Sequence, residues 1–141
     1  MDNESLFMAT TDGWIIHTDM KGNVINKKLV HDSENKINSI AFSKNFAVLA
    51  TAANNGSKIL DPETMEIMRF FKQELPMNAV AVSPLFSAEI APKFHMAMGG
   101  GIPAVLAAGS SHSGFEAHIC NIMHENEVGK ISGHFGPINS I

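Results

Sequence analysis

A chain of 141 residues with 45% hydrophobic and 17% charged side chains holds enough apolar material for one ordinary domain and too much for a disordered segment. Its net charge of -4 argues against the basic stripe of a general nucleic-acid binder. A single cysteine, Cys120, excludes an internal disulfide framework and fits a reducing compartment. No apolar run approaches the ~18 residues of a membrane span, and Met1-Asp2-Asn3-Glu4-Ser5 lacks the pattern of a signal peptide, so the expected location is the cytosol.

In chain order, the first apolar run (residues 6–9) ends at Thr10-Thr11-Asp12-Gly13, a strong turn signal. Residues 14–18, aromatic and β-branched, resume as a strand. Asp19-Met20-Lys21-Gly22-Asn23 turns the chain into a more polar strand at 24–30, and 31–36 is a polar connector. Residues 37–43 predict an inner strand, and the nearly apolar 46–51 predicts a strand covered on both faces. Asn54-Asn55-Gly56 then turns into 57–60, Asp61-Pro62-Glu63-Thr64 turns again, and 65–71 predicts an outer strand. Residues 77–83 repeat the inner strand. Further strands are expected at 94–98, 115–122 and 127–131, with a turn of helix at 87–90. The Gly-, Ala- and Ser-rich stretch from Gly99-Gly100-Gly101 to Ser113-Gly114 predicts a flexible loop.

Ile37-Asn38-Ser39-Ile40 returns as Met77-Asn78-Ala79-Val80 and as Ile138-Asn139-Ser140-Ile141. The asparagines stand 40 and then 61 residues apart. A period of about 40 residues with many short strands is the signature of a WD40-type β-propeller blade, and the longer interval reads as a blade carrying an insertion. The expected fold is therefore all-β: a WD40-type propeller fragment of about two and three-quarter blades of four-stranded antiparallel sheet. An incomplete blade spans 1–36 and a complete one 37–76. A blade with an insertion loop around 85–114 spans 77–136, and the next blade starts at 137–141. Propellers close with typically about four to eight blades. The chain is thus expected to be part of a longer polypeptide, or to self-associate through uncovered blade faces.

Gly133-His134-Phe135-Gly136-Pro137-Ile138-Asn139-Ser140, together with Phe115-Glu116-Ala117, Gly99-Gly100-Gly101, Pro76-Met77-Asn78-Ala79 and Ser83-Pro84, resembles subunit i of eukaryotic translation initiation factor three, a WD40 family. The resemblance covers the whole chain, in the later half of the family's propeller. The chain departs from the family pattern at Ile102 to Ala108, at His118 and at Leu75. The resemblance implies a non-catalytic scaffold in the cytoplasm that binds the b and g subunits of the initiation complex and meets the small ribosomal subunit indirectly. It implies no cofactor, no membrane and no direct nucleic-acid contact. The alternative is a generic WD40 interaction scaffold of another cytosolic complex.

No motif points to an enzyme. The spacing of His112, His118, Cys120 and His124 matches no standard zinc pattern, so no metal is expected. Asp61, His134 and a serine could be drawn as a triad, but no Gly-x-Ser-x-Gly elbow accompanies them. The triple glycine lacks the Gly-Lys-Ser/Thr of a phosphate loop. In propellers resembling this one, the histidine of Gly133-His134 can bond to an aspartate closing a neighbouring strand. His134, Asp19 and Asp61 are therefore expected to pin blade to blade, with part of the aspartates' role being local turn bonding. Asp61 and Glu74 are the expected protein-binding residues, offering carboxylates to a helical partner segment with basic side chains, the b subunit's tail by resemblance.

Overall fold

The computed structural model describes residues 4–86, 89, 91–107 and 114–141. Eleven strands and one helical turn make up the described secondary structure. The first sheet is a three-stranded meander of β1 (Ser5–Ala9), β2 (Trp14–Asp19) and β3 (Val24–Leu29). The second holds β4 (Ile37–Phe42), β5 (Leu49–Ala53), β6 (Gly56–Leu60) and β7 (Ile67–Lys72) in that order. The third holds β8 (Met77–Val82), β9 (His95–Gly100), β10 (Ala117–Asn121) and β11 (Asn126–Ile131), again in chain order. Every pairing is antiparallel, and short turns join most of the consecutive strands within a sheet.

The three sheets stack face to face, and the middle one is covered on both sides. All five residues of β5 are buried, and alternation sends them to two cores. Leu49 and Ala53 join Leu60 and Met65 against Ile15 and Val30 of the first unit. Ala50 and Ala52 join Ile59 and Phe71 against Met77, Val80, Met96, Met98 and Cys120 of the third. The alanines let the sheets approach, and the methionines fill the irregular space that the small residues leave. Each fully buried Leu, Ile or Met here is worth roughly 1.5–3 kcal/mol relative to exposure.

Several sequence expectations need correction. The covered strand starts at Leu49 and not at residue 46: Phe46 sits in a turn with φ 57, its N–H donating to the Ser43 carbonyl. The outer strand starts at Ile67 because Met65 occupies a left-handed turn with φ 61, where its side chain fills the first core. Gly99 and Gly100, expected in a flexible loop, end the core strand β9, so the range 85–114 contains a strand. A Cβ on Gly100 would collide with the Pro76 carbonyl, and one on Gly99 would press on Ile138 at 2.9 Å. The glycines serve close approach and not flexibility. Ala104–Ala107 forms a helical turn in the same range. The helical turn expected at 87–90 falls mostly on residues outside the described set, as do 108–113.

Candidate partner-binding surface

The seam between the first two sheets is closed by a residue that sequence reasoning left in a polar connector. His31 follows β3 and is 1% exposed. Its Nε2 lies 2.8 Å from Thr51 Oγ1 and its Nδ1 2.7 Å from Asn55 Oδ1, both on the second sheet. Burial pushes the imidazole down to about 4, so it is neutral and one ring nitrogen donates while the other accepts. Thr51 ties the same point to β6, its hydroxyl oxygen accepting the Lys58 N–H at 3.0 Å. The Lys58 ammonium reaches back 2.8 Å to the Val30 carbonyl.

Of the residues expected to pin blade to blade, His134, Asp19 and Asp61, none bonds across a seam among the described residues. His134 is exposed and makes no hydrogen bond to a described residue. Asp19 is bound into its own turn, accepting from the backbone N–H groups of Lys21 and Asn23, both at 2.8 Å, and from the Asn23 amide at 2.7 Å. Asp61 likewise accepts the Glu63 and Thr64 N–H groups at 2.8 Å. These bonds hold both carboxyls below the usual range, the Asn23 amide leading for Asp19 and the Thr64 N–H for Asp61. In both, the local turn role prevails over the inter-sheet one. A two-residue spacing was the available signal for His31: it stands two residues past Leu29, the partner of Trp14.

Glu74 stands two residues past Lys72, the partner of Gly56, and so occupies in the second unit the position of His31 in the first. Its carboxylate is exposed beside a cleft of about 210 Å³ between the second and third sheets. Glu116, His118 and Lys130 line the far wall. His118 is 6% exposed, with Nδ1 2.7 Å from Glu127 Oε2. Lys130 Nζ lies 3.4 Å from Glu116 and 3.9 Å from Glu127, and Ser132 donates to Glu116 at 3.0 Å. The Ser132 bond, then Lys130, lowers the Glu116 carboxyl. Where a neutral imidazole plugs the first seam, the second offers an open cleft with Glu74 at its mouth and the Lys130-paired carboxylate of Glu116 on its far wall. Such a site suits a cationic side chain. Glu74 and Asp61 are not neighbours: they flank opposite ends of β7, and a strand of that length spans on the order of 17–20 Å.

The histidine–cysteine cluster has a packing account. His118 and Cys120 share the buried face of β10, but His118 is taken by Glu127 and Cys120 belongs to the core. Burial pushes the Cys120 thiol up to about 11, which keeps it an unreactive thiol. Among the described residues no group of three or more His, Cys, Asp or Glu is arranged for a metal, and His112 lies outside the described residues.

No protein-family model matches the chain. Among solved structures, U3-55K superposes with a TM-score of 0.77 at 14% identity, over 99% of this chain and 39% of that one. The RRP9 WD40 repeats also superpose with a TM-score of 0.77, at 12% identity. Stacked antiparallel sheets joined in chain order, with these neighbours, define a WD40-type β-propeller unit. Sequence then narrows the class. Eukaryotic translation initiation factor 3 subunit I of Xenopus laevis is 32% identical over 98% of this chain and 41% of the relative. The Homo sapiens subunit is 35% identical over 79% of this chain and 33% of the relative. The chain belongs to this initiation factor 3 subunit I family and spans about two-fifths or less of the length of these relatives.

Proposed function

We propose that the chain is a non-catalytic part of a cytoplasmic scaffold that holds subunits of translation initiation factor 3 together, with the b and g subunits as its partners. The sequence relationship to subunit I over 98% of the chain carries this reading. The described side chains support it. No described helix is long and apolar enough to cross a membrane. The candidate catalytic set Asp61–His134 is bound into a turn at one member and exposed at the other.

The acidic cleft beside Glu74 is the docking point for a basic side chain from the b subunit's C-terminal segment. A purified peptide of that segment is expected to bind the chain, and Glu74→Lys to weaken binding roughly 5- to 150-fold, on the order of 1–3 kcal/mol. The loss should be largest in the association rate at low salt, because an exposed charge mainly steers encounter. Asp61→Lys, at the other end of β7, should leave affinity unchanged once melting temperatures are matched. Equal affinity and equal salt dependence for wild type and Glu74→Lys would move the b-subunit contact off this cleft.

A further inference from the structure

The asparagine that marks each repeat has no role in the seam or the acidic cleft. Asn38 and Asn78 are the second residues of β4 and β8, and Asn139 follows Ile138, whose N–H donates to the Gly100 carbonyl at 2.9 Å. Asn38 and Asn78 each reach toward the next copy. The Asn38 amide donates to the Met77 carbonyl at 2.9 Å and to Asn54 Oδ1 at 3.2 Å. The Asn78 amide donates to Asn139 Oδ1 at 3.1 Å. These bonds leave the side-chain oxygens of Asn38 and Asn78 as unused acceptors, and the amide nitrogens of Asn54 and Asn139 as unused donors, among the described residues.

All four asparagines line one cavity of about 620 Å³, within the size range of ligand sites. It shares no lining residue with the acidic cleft. Pro76, Pro103 and Pro137 give it apolar wall, and the Gly101 N–H fixes one side by donating to the Pro76 carbonyl at 2.9 Å. Lys36 stands exposed at its edge and makes no ion pair with a described residue.

We infer that this cavity binds an extended peptide carrying a carboxylate. A peptide unit presents one N–H donor and one carbonyl acceptor, the complement of the unused amide groups on the wall. The proline rings accept an aliphatic side chain, and Lys36 accepts the carboxylate. A nucleic-acid strand fits less well, because the chain has a net charge of -4 and offers one lysine at this site where a polyanion needs a series of cations. The walls are tied by inter-strand bonds before any ligand arrives, so little ordering opposes binding.

The probe is a randomised pool of N-acetylated, C-amidated heptapeptides with aspartate fixed at the centre, selected on the immobilised 141-residue chain and read by mass spectrometry. A subset should be enriched at least tenfold over the same pool with asparagine at the centre. Lys36→Glu, which alters an exposed side chain only, should abolish that preference at an unchanged melting temperature. Asn54→Leu should weaken the selected peptides about tenfold while Glu74→Lys leaves them unaffected. No enrichment, or enrichment indifferent to both Lys36→Glu and Asn54→Leu, overturns the inference. So does displacement of the selected peptides by oligoadenylate at equal concentration.

Discussion

His31 concentrates more of the inter-sheet chemistry in one side chain than any residue the repeat pattern highlights. In the unfolded chain an imidazole takes a proton near 6.5, whereas in the fold burial holds it down to about 4. The unfolded state therefore binds the extra proton across that window, and stability rises with pH through it. The contribution is complete above about pH 6.5 and is lost progressively as pH falls toward 4, on the order of 2–3 kcal/mol after allowance for solvent screening. Urea unfolding at pH 5 and pH 7 should show about half of this loss, and His31→Gln, which cannot titrate, should flatten it. A pH dependence as steep in His31→Gln as in wild type would place the titrating group elsewhere. His31 escaped sequence reasoning because its partners, Thr51 and Asn55, lie 20 and 24 residues away. His134 carries the Gly-His context of the repeat signature, whereas His31 follows a valine and offers no such cue.

Strand order was legible because each run of β-branched and aromatic residues is bounded by a turn with its own chemistry. Asp19 and Asp61 bond their own loops, and Gly13, Gly22 and Gly56 supply positive φ. Strand edges were less legible where an apolar side chain sits in a turn: Phe46 and Met65 look like strand residues and adopt left-handed backbone. The triple glycine misled for a different reason. Glycine signals a breaker locally, but at Gly100 it is demanded by the Pro76 backbone, 24 residues earlier in the chain. Gly100→Ala should therefore cost more than about 2 kcal/mol, because the clash is with backbone that cannot rotate away. Gly22→Ala, in open space at φ 88, should cost about 1 kcal/mol through backbone strain alone. Denaturant midpoints of the two variants decide it: equal losses would mean that β8 and β9 can separate freely.

At the level of the molecule, two seams built on one plan serve different ends. One is closed by a neutral imidazole, and the other presents Glu74 at its mouth beside the buried His118, which is paired with the exposed Glu127. Repetition supplies the scaffold, and Glu74, at the place that matches His31, stands at the cleft proposed for a partner. The most direct test is co-purification of the tagged chain from a eukaryotic cell extract, with quantitative mass spectrometry. The account predicts initiation factor 3 subunits, the b subunit foremost, well above an untagged control and depleted with Glu74→Lys. A folded chain that recovers no initiation factor subunit above that control would contradict it.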